Sequence, residues 1–202
     1  MDSTGWDQRY AATPDLVWAA EPNQFVAEIF RGRAPGRALD LAAGEGRNAT
    51  WLAGQGWRAT AVDFSATGLD KGRRLAREQG VSVHWVVADL RTYRPEPQGF
   101  DAVLVAYLHV PTDERAGILA RAAGAVAPGG TLLVVGHALA NLTAGVGGPQ
   151  DPAVLYTPET IAGELPGLVV RRAEVARRRV TVADGSADAL DVVVVAVRGR
   201  RS

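Results

Sequence analysis

Short apolar runs alternate with longer amphipathic segments along most of the chain. Strand-sized apolar runs occur at residues 37–41, 59–63, 81–88, 102–107 and 131–136. Apolar residues at helical spacing predict helices between them, at residues 47–55, at 65–79 with Ser65 as its cap, and from a Thr112 cap onward. This alternation is typical of repeated β-α units that build a parallel sheet.

The pattern changes after residue 137. Residues 138–157 include five Gly and Pro residues and little periodicity, which predicts a long loop on the substrate side. A short helix then begins with Pro158 in its first position. Two strands at 168–182 and 190–198, joined by a turn at 183–186, predict a closing hairpin. We therefore predict an α/β fold with a doubly wound, seven-stranded sheet, mainly parallel with an antiparallel C-terminal strand.

The length of 202 residues fits one domain spanning residues 1–202. Residues 1–35 precede the first strand and hold two of the five tryptophans. We expect them to form an N-terminal helical cap that packs over the sheet.

Composition excludes several kinds of chemistry. Without cysteine there is no disulfide, catalytic thiol, thiolate zinc site or iron–sulfur cluster. Three histidines disfavour a histidine-rich metal centre, so we predict no metal. The 22 basic side chains balance the 22 acidic ones, which gives no field favouring nucleic acid or an anionic membrane. No secretory signal and no apolar run of about 20 residues is seen, so we expect a cytoplasmic protein.

A glycine-rich turn follows the first predicted strand. Gly44, Gly46 and Ala49 match the Gly-x-Gly-x-x-Ala pattern, in which small residues let a ligand approach the backbone at the start of a helix. Asp40 lies just before this turn and would repel a pyrophosphate. An acid at this point suits a ligand that carries positive charge.

Two further acids end the next two predicted strands. Asp63 is placed to accept hydrogen bonds from both hydroxyls of an adenosine ribose, and such charge-assisted bonds contribute about 1.5–3 kcal/mol each. Asp89 is placed to accept from the adenine amino group. Each acid alone could merely cap a helix, but all three meet at the carboxyl edge of a parallel sheet, where ligands bind.

These motifs resemble those of the class I S-adenosylmethionine-dependent methyltransferases over nearly the whole chain. The matching segments are 39–49, 61–65, 87–90, 100–105 and 128–132. The resemblance implies a Rossmann-like fold. Gly46-Arg47-Asn48 and Trp6-Asp7-x-x-Tyr10 resemble the tellurite-resistance-type branch, which methylates small molecules. Ala42 replaces the usual first glycine, a change that is tolerable if its φ angle is negative.

The resemblance also implies a set of residues that bind S-adenosylmethionine and its product S-adenosylhomocysteine. Asp40 would reach the methionine ammonium, Asp63 the ribose and Asp89 the adenine amino group. Phe64 and Leu90 would sandwich the adenine. The remaining predicted cofactor-binding residues are Trp6, Tyr10, Ala42, Gly44, Gly46, Arg47, Asn48, Ser65 and Ala106. For Trp6 and Tyr10, simple packing of the N-terminal segment onto the sheet is an equally good interpretation.

Methyl transfer needs alignment of the acceptor and exclusion of water, and a general base only when the acceptor is protonated. His109 and His137 follow the fourth and fifth strands, so they are the candidate catalytic residues, although each could simply be hydrogen-bonded to its loop. His84 lies within the third strand and is interpreted as structural. The arginines of the sixth strand are interpreted mostly as charges that protect a sheet edge, namely Arg171, Arg172, Arg177, Arg178 and Arg179.

The sequence thus predicts methyl transfer from S-adenosylmethionine to a small-molecule acceptor at O, N, S or a chalcogen, by a monomer or homodimer. Two alternatives stay open. One is an NAD(P)-dependent oxidoreductase, which the glycine pattern allows but Asp40, Asp89 and the hairpin disfavour. The other is a non-catalytic module that binds the cofactor.

Overall fold

The computed structural model describes residues 3–182 and 185–200, and a seven-stranded sheet forms the centre of this part of the chain. The strands are β1 (Arg37–Leu41), β2 (Arg58–Asp63), β3 (His84–Val87), β4 (Phe100–Ala106), β5 (Val126–His137), β6 (Val169–Val182) and β7 (Gly185–Val197). Their order is β3-β2-β1-β4-β5-β7-β6. Neighbours from β3 to β5 are parallel, and β7 is antiparallel to both β5 and β6. The predicted sheet is confirmed.

Helices connect the strands and cover both faces of the sheet. They are α1 (Ser3–Ala11), α2 (Gln24–Phe30), α3 (Arg47–Gly54), α4 (Ala66–Glu78), α5 (Thr112–Ala125), α6 (Asn141–Ala144) and α7 (Pro158–Gly163), with a 3₁₀ turn at Pro152–Val154. Among the described residues, no helix is long and apolar enough to cross a membrane.

The apolar core has a layer on each face because successive strand residues point to opposite sides. Along β4, Val103 packs with Leu119 of α5, whereas Leu104 packs with Phe30 of α2 and Leu52 of α3. All of these side chains are buried. The carboxyl ends of the five parallel strands are thereby held at one edge, where the candidate site lies.

Helix starts follow the predicted capping chemistry with one exception. The Ser65 side chain accepts a hydrogen bond from the Gly68 N–H at the start of α4. The Thr157 side chain accepts a hydrogen bond from the Thr160 N–H at the start of α7, where Pro158 is the first helical residue. Thr112, predicted as a cap, is instead the first residue of α5, and Pro111 precedes it.

The largest boundary errors concern β5, β7 and β3. β5 begins at Val126 instead of residue 131 and pairs there with Phe100 of β4. β3 covers only residues 84–87 instead of 81–88, because its pairing with β2 begins at Thr60 and His84. β7 begins at Gly185 instead of residue 190, since pairing with β6 overrides the low strand propensity of residues 185–189. Of the predicted turn at 183–186, residues 183 and 184 lie outside the described residues, and Gly185 and Ser186 belong to β7.

Candidate functional site

The turn after β1 is built from residues with positive φ. Ala42 has a φ of 60°. The negative φ that would make alanine a tolerable replacement for the usual glycine is therefore not found. An alanine in the left-handed region costs roughly 1–2 kcal/mol, because its Cβ crowds the following carbonyl oxygen. Gly44 and Gly46 also have positive φ, and a Cβ at Gly44 would lie 2.7 Å from the Tyr10 hydroxyl. The turn is therefore both strained and closely covered.

Asp40 lies on β1 just before this turn and is only 1% exposed. Neither of its carboxylate oxygens has a hydrogen-bond partner in the described part of the chain. Burial raises the pKa of Asp40 to about 7, and the nearby Ala49 amide and Arg47 offset only part of this effect. Within the described part of the chain, no cation forms a salt bridge with this buried acid.

Asp63 ends β2 and holds the glycine turn in place. Its Oδ2 accepts from the Gly44 N–H (2.8 Å) and its Oδ1 from the Ser65 N–H (2.9 Å). Burial raises the pKa of Asp63 in spite of these two bonds. Each oxygen of an ionised carboxylate can accept a second hydrogen bond, so the side chain keeps acceptor capacity.

The residues after β3 and β4 are arranged along the same edge. Asp89 is partly exposed, and its carboxylate receives the Arg91 guanidinium at 2.6–3.0 Å. This contact lowers the pKa of Asp89. Leu90 is buried in the core, while Phe64 and Ala106 are partly buried at the ends of β2 and β4. Contact of these residues with an adenine stays a prediction.

The N-terminal helix α1 covers the glycine turn. Asp7 accepts from the Ser65 hydroxyl (2.5 Å) and from the Thr67 N–H (3.2 Å), which joins α1 to the start of α4. Tyr10 is buried, and the Trp6 ring lies 5.6 Å from it between centroids. Trp6 and Tyr10 are thus brought to the predicted place, and their contact with a cofactor stays a prediction.

A buried ion pair ties the segment after α1 to the same turn. Lys71 Nζ lies 3.2 Å from Glu45 Oε1, and both side chains are at most 5% exposed. The Glu45 carboxylate also accepts from the Val17 and Trp18 N–H groups (2.9 Å each), and Lys71 donates to the Asp15 carbonyl. Sequence reasoning missed this pair, although Lys71 is the only lysine in the chain.

A hydrogen-bonded chain of polar side chains runs from α3 towards β7. Asn48, next to Arg47 at the start of α3, accepts from the Asn23 N–H (2.9 Å). The Asn23 amide donates to the Tyr107 hydroxyl (3.1 Å), which donates to Asp191 (2.8 Å). Of these residues only Asn48 was predicted as a site residue. The contacts join the glycine-turn end of the edge to the end that carries the histidines.

The two candidate catalytic histidines lie together, with ring centroids 5.4 Å apart. His109 Nδ1 lies 2.9 Å from the Val154 carbonyl, to which it donates, and its Nε2 faces the His137 N–H at 3.4 Å. Burial lowers the pKa of His109 to about 4, so this imidazole is neutral at pH 7. His137 Nδ1 lies 3.3 Å from Asp191 Oδ1.

Two interpretations of single residues need correction. His84 was interpreted as structural, but its side chain is exposed because β3 is the sheet's edge strand. Arg178 was grouped with charges that protect an edge, but its Nε donates to the buried Asp191 (2.6 Å). Arg177 and Arg179 do lie on the exposed surface, paired with Asp188. Among the described residues no cluster of three or more His, Asp or Glu could hold a metal.

Comparison with known proteins identifies a similar domain and relatives of similar sequence. Residues 38–130 match a family model described as a methyltransferase domain. An uncharacterized methyltransferase of Mycobacterium tuberculosis is 38% identical over 109 residues, which are 54% of each chain. A 2-heptyl-1-hydroxyquinolin-4(1H)-one methyltransferase of Mycobacteroides abscessus is 26% identical over 146 residues, which are 71% of this chain and 64% of the relative. The chain thus matches about half to two thirds of the length of these relatives.

Solved structures show that the whole chain shares one fold. A protein studied for conversion of a disulfide bond into a thioacetal group during echinomycin biosynthesis superposes with a TM-score of 0.78 and 20% identity, over 99% of this chain and 93% of that one. TehB from Haemophilus influenzae superposes with a TM-score of 0.71 and 12% identity, over 96% of this chain and 67% of that one. Magnesium protoporphyrin IX methyltransferase from Synechocystis, with bound S-adenosylhomocysteine, superposes with a TM-score of 0.65 and 18% identity, over 97% of this chain and 84% of that one. Residues 38–130 therefore resemble a methyltransferase domain, and the chain has the fold of these solved structures.

Proposed function

We propose that this protein transfers a methyl group from S-adenosylmethionine to a small-molecule acceptor. The observation that carries the proposal is Asp40, a fully buried carboxyl group beneath the glycine turn with no hydrogen-bond partner among the described residues. An unpaired buried acid is unfavourable, so its presence fits a site that receives a cationic group. The cofactor's ammonium is such a group, and a dinucleotide's pyrophosphate is not.

The surrounding residues fit the rest of the cofactor. Asp63 retains acceptor capacity for ribose hydroxyls, while Asp89, Phe64 and Leu90 lie at the adjoining strand ends. Because the Tyr10 hydroxyl covers Gly44, the cofactor's amino-acid part must contact Tyr10 or displace it. When bound, the cofactor supplies an electrophilic methyl group, and the protein's task is to orient the acceptor and exclude water.

The small-molecule acceptor is supported by the named substrate of the Mycobacteroides relative, a hydroxyquinolone. A finer hypothesis is the tellurite-resistance-type branch, which is supported by the segments 6–10 and 46–48 and by the likeness of the fold to TehB. Methylation of tellurite, followed by release of volatile product, would test that branch. The monomer or homodimer, the cytoplasmic location and the lack of nucleic-acid binding stay predictions.

Isothermal calorimetry with S-adenosylhomocysteine tests the cofactor assignment. We expect binding to the parent protein and at least tenfold weaker binding to Asp63→Ala, which loses charge-assisted hydrogen bonds. Asp70→Ala is the matched control, because Asp70 is exposed on α4 and pairs only with Arg73. Absence of binding to the parent protein, with thermal stabilisation by NADH, would favour the oxidoreductase. Tight binding with no methyl consumption over a broad acceptor panel would favour a non-catalytic module.

A further inference from the structure

Asp191 occupies a buried position at the histidine end of the site. It lies on β7 directly opposite His137 of β5, and its side chain has no exposed surface. Its Oδ2 accepts from the Tyr107 hydroxyl (2.8 Å) and from Arg178 Nε (2.6 Å). Its Oδ1 lies 3.3 Å from His137 Nδ1, which is ion-pair distance without the alignment of a hydrogen bond.

His137 differs from His109 in having a free ring nitrogen. Both nitrogens of His109 face backbone groups, at Val154 and His137. His137 directs Nδ1 towards Asp191, and its Nε2 makes no hydrogen bond in the described part of the chain. The His137 side chain is 13% exposed and packs under Gly148 of the 138–157 loop, where a Cβ would lie 2.9 Å from Nε2. Gly148 of this loop therefore lies against the part of the His137 ring that carries Cδ2 and Nε2.

Among the described residues, Asp191 is the one anionic partner of His137. Burial raises the pKa values of Tyr107 on β4 and of Tyr156 after the loop, so both are neutral. His109 is neutral as well, and the charge of Arg178 on β6 is directed to the other oxygen of Asp191. A carboxylate behind a histidine fixes its tautomer and stabilises the imidazolium that forms when it accepts a proton.

We propose that His137 Nε2 accepts the proton of a weakly acidic hydroxyl on the acceptor, and that Asp191 is the positioning residue for His137. This inference rests on the proposed methyl transfer. As the acceptor oxygen forms its bond to the methyl carbon, the carbon–sulfur bond of the sulfonium breaks and its electron pair stays on sulfur. The hydroxyl proton moves to His137, which later releases it to water. A thiolate or a chalcogen oxyanion is already ionised and needs no such base.

Nitrogen-15 NMR of the histidines in the S-adenosylhomocysteine complex tests the positioning role without turnover. We expect His137 to carry its proton on Nδ1 in the neutral ring, and Asp191→Asn to change the ratio of its two tautomers. His84→Gln removes an exposed histidine and assists assignment without altering the His137 signal. A His137 signal that is the same in Asp191→Asn would overturn the proposal. Failure of the proposed function itself would appear separately, as absence of S-adenosylhomocysteine binding.

Methylation of 2-naphthol and of its thiol analogue tests the acceptor class. We expect His137→Gln and Asp191→Asn to lower kcat for the naphthol about 100-fold, with KM little changed and activity recovering at a pH that ionises the naphthol. Both variants should stay within about twofold of the parent on the thiol, which supplies its own anion. Asp188→Asn, also on β7 but partly exposed, is the matched control. Equal losses on both probes, or turnover of the thiol alone or of neither by a protein that binds S-adenosylhomocysteine, would contradict the proposal.

Discussion

Asp40 and Asp191 are buried to the same depth at the two ends of the site, yet their surroundings are opposite. The Asp40 carboxyl group has no hydrogen-bond partner among the residues that the structure describes, and burial raises its pKa to about 7. For Asp191, burial alone would raise the pKa, but His137, Arg178 and Tyr107 outweigh it and hold the pKa below its usual value. Burial does not decide the charge of a carboxyl group; the set of partners does.

The folded chain supplies partners for the Asp191 carboxylate, but the described residues supply none for the Asp40 carboxyl group. Asp191 receives a cation and a hydroxyl from its own protein and therefore supports the fold. Asp40 receives neither from the described part of the chain, so its burial weakens the fold. An aspartate thus stabilises the structure at one end of the sheet edge, and at the other end we propose that an aspartate recognises a ligand.

The largest expected effect comes from Asp191→Asn. Loss of the carboxylate leaves Arg178 without its partner, and breaking such a pair by removing one member costs about 3 kcal/mol. Urea denaturation at pH 7 measures this loss in the free energy of unfolding. Asp188→Asn should change it by less than about 0.5 kcal/mol, because the Arg177 and Arg179 contacts are exposed. An equal loss in the two variants would remove the distinction between buried and surface pairs.

Asp40→Asn should raise the free energy of unfolding, whereas Asp191→Asn should lower it. The folded pKa of about 7 lies above the ordinary value of 3.8, so the folded state keeps a proton that the unfolded state has lost. The stability of the parent protein therefore falls between about pH 4 and pH 7, by up to about 4 kcal/mol. Asp40→Asn should gain about 2 kcal/mol at pH 8, since burial of the amide offsets part of the benefit, and nothing at pH 4. Equal urea midpoints at pH 8 would show that Asp40 has a partner after all.

Cofactor binding should release a proton from Asp40. An ammonium beside the carboxylate lowers its pKa, so at pH 7 about half a proton should leave on binding of S-adenosylhomocysteine, and almost none at pH 9. Calorimetry at pH 7 in two buffers with different heats of ionisation measures this number. Asp191→Asn should release as many protons as the parent, because Asp191 is already ionised. Proton uptake instead of release would contradict the role given to Asp40.

The smallest expected effect concerns the strained alanine beside Asp40. Ala42→Gly removes the left-handed strain and should stabilise the protein by about 1 kcal/mol, less the added freedom of glycine in the unfolded chain. Thermal denaturation measures it. Gly80→Ala is the matched control: Gly80 also has a positive φ, with no atoms near its Cβ, and this change should destabilise by a similar amount. Destabilisation by Ala42→Gly would show that the turn needs the alanine methyl.

Much of the fold and of the glycine-turn end was predictable from local patterns. Asp40, Asp63 and Asp89 each follow an apolar run, and parallel strands bring such ends together regardless of exact boundaries. The φ of Ala42 was not predictable, because the backbone of the turn is determined by the bonds of Asp63 and the cover of Tyr10.

The histidine end was predictable only in part. His109 and His137 follow strands, but Asp191 lies at the start of an apolar run and looks like an ordinary boundary residue. Its role depends on the register of the long β6–β7 hairpin, which places Arg178 next to it across the ladder. Pairing over this distance is a tertiary property that no local pattern contains. The Glu45–Lys71 pair is similar, although a lone lysine among the apolar positions of α4 was a readable signal.

Because Lys71 is buried, the rate at which its ε-amino group is acylated measures how often the N-terminal segment moves away from it. An amine-selective acylating reagent can reach this ε-amino group only when the contacts with Glu45 and the Asp15 carbonyl open. Because the chain has no second lysine, the mass of the peptide that contains residue 71 records each opening event without an added label. The rate of acylation with and without S-adenosylhomocysteine would then give the change in opening frequency directly.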